Sequence, residues 1–218
     1  MAEAGYNVAL RRGGAPVSTT SLAFSNIAGD VYQVTTEAFR CLDPRSPWHL
    51  KDSAGTVDFA DISAIDFLFG EITVSGISGA LTYYGDYIPL TTASEVMQEV
   101  KSYSISESSD LNDTTVFSGS RYRKRIYGLA DASITLDGFL SLADEDRLTA
   151  LQASGAAVVV EVRSAATPRF RAWAKVESVE KTGSVEGVLE RSVTFQLDAQ
   201  RDDATGFFAA VSDRSLTS

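Results

Sequence analysis

Residues 101–198 carry an order of elements that few folds accommodate: a strand, a long polar stretch, a second strand, one short helix and three further strands. The first strand sets Tyr103 and Ile105 against Ser102, Ser104 and Ser106, a period of two that predicts one buried and one wetted face. The stretch 107–125 is too polar to pack and too long for a hairpin turn. Structureless connections of that length usually serve a function or an interface. The chain then alternates again, with Ala132, Ile134 and Leu136 interleaved with Ser133, Thr135 and Asp137.

A helix is expected next, over about 142–153. Ser141 is the candidate N-cap, Asp144, Glu145 and Asp146 load the positive end of the macrodipole, Leu148 and Leu151 share one face, and Gly155 follows the end. Three strands close the run. The stretch 157–162 is nearly continuous and apolar. Phe170, Ala172, Ala174 and Val176 alternate with Arg169, Arg171, Trp173 and Lys175, and Val193, Phe195 and Leu197 alternate with Ser192, Thr194, Gln196 and Asp198. Gly13-Gly14, Ser118-Gly119 and Thr182-Gly183 read as turns, the last joining two antiparallel strands. Many strands with one helix define a mainly β, α+β class: a sandwich or open barrel.

Upstream, short strands are expected at 7–10, 31–34, 65–69 and 72–74, the last two flanking Gly70, with a short helix at 36–40. The run 88–96 holds Pro89 and a Thr-Thr-Ala-Ser sequence that marks a boundary or linker. The expectation is one intertwined domain over 1–218, with 1–90 and 91–218 as the alternative subdivision. No repeat or low-complexity segment interrupts it.

Chemistry is sparse. Cys41 is the single cysteine, which excludes an internal disulfide and a thiolate metal cluster, and it reads as a small apolar residue. His49, the single histidine, lies beside Trp48 in a turn-rich stretch, where packing or exposure accounts for it. There is no phosphate-binding glycine loop, zinc-protease helix or serine elbow. Counted from Asp110 as a calcium loop, the sixth position is Thr115 where glycine is required and the twelfth is Arg121 where glutamate is required. No enzymatic activity, metal or cofactor is expected.

With 44% hydrophobic and 22% charged residues, the 218-residue chain has an ordinary globular composition. No apolar run reaches a membrane span, and 1–6 has no secretory core, so synthesis in a cytoplasm is expected. A net charge of −10 argues against a surface built to grip nucleic acid. The sharpest local contrast lies in the polar stretch, where Glu107, Asp110 and Asp113 precede Arg121, Arg123, Lys124 and Arg125, with Tyr122 and Tyr127 among the basic residues. Subunit contact is favoured for it over nucleic-acid binding or a plain solvated face.

The run SYSISESSDLNDTTVFSGSRYRKRIYGLADASITLDGF, then LADEDRLTALQASG and the late VTFQL, resembles the major tail protein, or tail tube protein, of long non-contractile-tailed bacteriophages. A weaker echo runs through VYQVTTEAFRCLDP, FLFGEITVSG and YYGDYIPL. The resemblance covers the second half of the chain and rests on the order of elements. It implies a tail-tube-like β-sandwich or open barrel of two packed antiparallel sheets, with one flanking helix and the long loop 107–125. It also implies hexameric rings stacked into a hollow virion tail tube, with a tape-measure protein and a tail terminator as partners. Genomic DNA would pass through without specific binding. On that reading Glu107, Asp110, Asp113, Arg121, Arg123, Lys124 and Arg125 form an inter-subunit or inter-ring connector, and Asp137 and Asp198 are candidate lumen-facing acids. A tail-terminator or neck ring protein, and a soluble β-sandwich binding module, are the alternatives.

Overall fold

The computed structural model describes residues 8–13, 15–90, 100–113, 125–138, 142–164, 167–183, 189–202, 208–209 and 211–213. In chain order, β1 (Val8–Arg12) precedes β2 (Val17–Ala28), β3 (Val31–Val34), β4 (His49–Lys51), β5 (Ile62–Asp66), β6 (Glu71–Val74) and β7 (Thr82–Tyr87). Then come β8 (Val100–Asp113), β9 (Arg125–Gly138), helix α1 (Leu142–Ser154), β10 (Val158–Ser164), β11 (Thr167–Gly183) and β12 (Leu189–Leu197). The short β13 (Gln200–Arg201), β14 (Phe208–Ala209) and β15 (Val211–Asp213) follow.

Two antiparallel sheets result. One has the order β1-β10-β11-β12-β9-β8, with β15 also on β11; the other has the order β4-β7-β2-β3-β6-β5, and β13 pairs with β14 apart from both. The first strand therefore joins the sheet built by the second half of the chain: β1 runs beside β10 from Val8↔Ser164 to Arg12↔Val160, and the Gly13 N–H donates to the Val159 carbonyl at 2.7 Å. The six strands β2–β7 form a module inserted between β1 and β8.

The near-continuous apolar run of β10 follows from this layout, because the strand is covered on both faces. Val158, Val160 and Val162 join Phe170, Ala172, Ile134 and Phe195 in a core under α1, which adds Leu148. Val159 and, from β11, Trp173 point the other way into the module's core beside Trp48, Leu50, Phe67 and Tyr83. Helix α1 ends as expected: Gly155 takes φ +64°, a left-handed value that costs glycine little, and the Gln152 side chain donates to the Glu177 carbonyl of β11 at 2.8 Å.

Several expectations need correction. The stretch 107–125 is not a loop throughout: β8 extends through Asp113 and β9 begins at Arg125, with Asp113 opposite Arg125. The pairing partner was there in the sequence, but polar β-strands carry no apolar signal to reveal it. Residues 114–124, including the Ser118-Gly119 turn, lie outside the described residues, as do Gly14 and Ser141. Phe67, Leu68 and Phe69 form a turn rather than strand, because Asp66 Oδ1 accepts from the Leu68 and Phe69 amides at 3.0 and 3.1 Å and draws the chain round. Thr182 and Gly183 are the last residues of β11, paired with Glu190 and Leu189. The helix at 36–40 is a single 3-10 turn, Glu37–Phe39.

Candidate assembly surface

Strands β8 and β9 are fourteen residues each, so the hairpin they form reaches about 45 Å at the usual rise of a β-strand. Its register runs from Val100↔Gly138 to Asp113↔Arg125, with shifts between Val100 and Ser102 and between Ser109 and Leu111. Among the described strands β8 has one neighbour, β9, and so forms the edge of the sheet. A long edge presents a row of backbone donors and acceptors able to pair with another chain.

The two faces of β8 differ from the expected pattern. Tyr103, expected inside, is 41% exposed, and Ile105 is half-buried at the margin of the core under α1. The apolar alternation of this strand thus continues past the point where its own fold covers it. Glu107, next in the same alternation, is exposed.

The opposite face is polar over four strands. Ser102 stands opposite Asp137, which stands opposite Ser192; Ser104, Thr135 and Thr194 form the next row, and Ser106, Ser133 and Gln196 the third. The Ser102 hydroxyl approaches Asp137 Oδ2 at 3.4 Å, and Gln196 donates from Nε2 to Asp131. Small hydroxyls paired across strands stabilise a wetted sheet face without burying it. Two ion pairs tie it laterally: Lys101 on β8 reaches Glu190 on β12 at 2.5 Å, past Gly138 of β9, and Lys175 on β11 reaches Asp198 at 3.1 Å. Both lysines are about half exposed, so each pair contributes little by itself.

The residues singled out from the sequence are distributed as follows. Asp110 and Asp113 lie in β8 with Glu107, and Arg125 opens β9; Arg121, Arg123 and Lys124 lie outside the described residues. Asp137 is exposed on the polar face. Asp198 is half-buried and engaged three ways: its carboxylate accepts from Lys175 and, at 2.7 Å, from Gln200 Nε2, while its backbone N–H donates to the Trp173 carbonyl. The serine alternation 102–108 was the signal for the polar face, but which strands stand beside it was not readable from one segment.

Nothing in the described residues adds chemistry to this surface. No group of three or more His, Cys, Asp or Glu among them is placed to hold a metal ion. The Cys41 thiol is buried at 1% exposure, and desolvation pushes its pKa up to about 12, the reverse of what a nucleophile needs. His49 stacks parallel on Tyr84 at 4.8 Å, with the Lys51 ammonium 5.0 Å from the same tyrosine ring.

No protein-family model matches the chain, and no curated protein matches it. The solved structures similar to it over about half its length include two from gene transfer agent particles. One is the tail of an empty gene transfer agent particle obtained with helical refinement and C6 symmetry: 18% identity, covering 53% of this chain and 84% of that one, with a TM-score of 0.42. The other is the virion of a native gene transfer agent particle: 19% identity, covering 53% of this chain and 87% of that one, with a TM-score of 0.41. The class defined by the coordinates themselves is a mainly β protein of two curled antiparallel sheets with one short helix.

Proposed function

We propose that this chain is a structural virion protein that assembles into hexameric rings, stacked into the hollow tail tube through which phage DNA is delivered. The observation that carries the reading is the fourteen-residue edge strand β8, whose apolar alternation ends in a half-covered Ile105 and an open Tyr103. A monomeric protein blunts such an edge with charge, proline or brevity; β8 has charge at Lys101, Glu107, Asp110 and Asp113 but is long and free of proline, and its Tyr103–Ile105 stretch carries no charge. Closure of a ring removes the edge, as a barrel does. The sequence resemblance to tail tube proteins, centred on 102–139, supplies the identity of the ring.

The reading treats the chain as one interwoven unit, since β1 enters the sheet formed by β8–β12 and the module lies between them in sequence. The polar face of Ser102, Ser104, Ser106, Thr135, Asp137 and Thr194 suits a wall past which a polyanion slides: hydroxyls hydrate it and acids repel phosphate. Asp137 is open enough for that role, whereas Asp198 already neutralises Lys175. Glu107, Asp110, Asp113, Arg121, Arg123, Lys124 and Arg125 are proposed as the connector to the next subunit or ring, with a tape-measure protein and a tail terminator as further partners. No reaction or cofactor belongs to this role.

The test is electron microscopy of the purified protein beside Tyr103→Lys/Ile105→Lys. Six-fold rings or tubes in the wild type and their loss in the folded variant support the reading. Because tubes sometimes need an initiator, rings suffice. A wild type that stays monomeric at high concentration, in low and high salt alike, contradicts it.

A further inference from the structure

The inserted module and the seven-stranded sheet meet around four charged side chains that the assembly reading does not use. Glu161 of β10 is fully buried, and Arg171, directly opposite it on β11, is 1% exposed. Arg171 donates from Nε to Glu161 Oε2 at 2.6 Å. Its Nη1 crosses to the module and donates to the Leu68 carbonyl at 2.5 Å, with the guanidinium 4.7 Å from the Phe69 ring. Arg163, two residues beyond Glu161, donates to Glu161 Oε1 at 3.2 Å and to Glu37 Oε1 of the module at 2.7 Å. The set contains two cations and two anions and is neutral.

We infer that Glu161, Arg171, Arg163 and Glu37 form a latch that sets the angle at which the module sits on the sheet. Two other contacts across the junction are less directional. Val159 and Trp173 contribute apolar area, which is non-directional, and Arg45 lies 4.4 Å over the Trp173 ring, an arrangement tolerant of sliding. The arginine fork is directional: it is planar, and its donors point at fixed angles. One Arg171 guanidinium bonds the sheet's carboxylate and the module's backbone at once, so rotation of the module breaks a buried hydrogen bond.

The acceptor is held as firmly as the donor. Leu68 lies in the turn formed around Asp66 Oδ1, and the adjoining Gly70 has φ +61° with the Arg40 carbonyl only 2.5 Å from where a β-carbon would stand. The Leu42 N–H donates to the Phe67 carbonyl at 2.7 Å, and the Val34 N–H donates to the Gly70 carbonyl at 3.0 Å. Burying such a network costs desolvation that apolar residues of the same volume avoid. The latch therefore acts on orientation more than on net stability, and it does so whether or not the chain assembles.

The experiment measures orientation and stability separately. Spin labels are placed at Ala23→Cys on the module and Thr149→Cys on α1, both exposed, in a Cys41→Ala background and diluted with unlabelled protein. Their distance distribution is compared between the wild-type latch, Arg171→Lys, and the apolar triple variant Glu161→Leu/Arg163→Met/Arg171→Met. The triple variant is expected to keep its denaturation midpoint while the distribution widens at least twofold, and Arg171→Lys, which keeps the charge but loses the fork, to widen it as well. A wild-type width in the folded triple variant overturns the inference. If the triple variant does not fold, a wild-type width in Arg171→Lys overturns it instead.

Discussion

The inserted module and the seven-stranded sheet treat their surfaces in opposite ways. The module packs around an aromatic centre of its own, completed by Val159 and Trp173 of the sheet: Trp48 meets the rings of Phe59 and Phe67 edge-on at 5.1 and 5.8 Å and stacks on Tyr83 at 5.7 Å, and Leu42, Leu50 and Val74 are fully buried around them. The strands it adds to β2 run three to six residues. The sheet has strands of up to seventeen residues, a polar face over four of them, and an edge whose alternation outlasts its cover. The module spends its apolar residues on its core and on the junction, whereas the sheet leaves Tyr103 open on an edge strand. On the proposed function, the contrast separates residues that hold the chain together from those that would hold copies together.

The largest effect belongs at the junction. Trp173 sits on a sheet strand but in the module's core, so Trp173→Ala is expected to cost about 3–5 kcal/mol and to loosen both regions together, as read by chemical denaturation. If only one region melts early, they are less dependent on each other than the shared core implies. Next is Gly70→Ala, which combines a left-handed backbone with a contact on the Arg40 carbonyl and is expected to cost about 1–3 kcal/mol within the module. Thermal melts of this variant should leave the sheet's edge behaviour unchanged.

Alkali sharpens the contrast further. Burial raises the pKa of Cys41 from 9.0 to about 12 and that of Tyr83 upward as well, both in the module. The folded state thus keeps protons that the unfolded chain sheds. Stability is full below about pH 9 and declines toward pH 12, by about 1.4 kcal/mol per pH unit for each group that has passed its unfolded pKa. Denaturation midpoints from pH 8 to 11 check this, and Cys41→Ala should flatten the early part of the decline.

The smallest effect on folding, with the clearest one on assembly, is expected from reversing Arg121, Arg123, Lys124 and Arg125 to Glu. On the proposed connector role, which needs these side chains to face outward, monomer stability should move by no more than about 0.5 kcal/mol. Assembly followed by light scattering should weaken, and the loss should shrink as salt rises, because like charges replace unlike ones and are screened. Normal assembly of the reversed protein would remove the basic segment from the connector.

Much of the sheet was legible because its strands alternate cleanly. The helix, the strands at 170–176 and 193–197, and the whole of β3 stood out by period and by their turn residues. The ends of β8 and β9 did not, since Glu107–Asp113 carries no apolar period, although it pairs through its backbone. Arg171 and Trp173 alternated on what looked like a solvent face. Only the module, packed from residues more than eighty positions away, turns them inward. Glu161 was visible as the residue interrupting a valine run, with Arg163 two places along the same strand, but its other partner, Arg171, lies on β11, and no spacing along the chain announces that pairing or the bonds both arginines make to the module. The long β2 lacked a sustained apolar period, because only Leu22 and Phe24 of its described side chains are buried, while Ser21, Ala23 and Ser25 and then both faces from Asn26 to Ala28 are exposed.

The claim that β8 is an assembly edge is tested most directly by sedimentation velocity on the wild type and on Tyr103→Lys/Ile105→Lys, with circular dichroism confirming that both are folded. The account predicts a six-subunit or larger species for the wild type and a monomer for the variant at the same concentration. Identical sedimentation of the two proteins, whether both assembled or both monomeric, would contradict it.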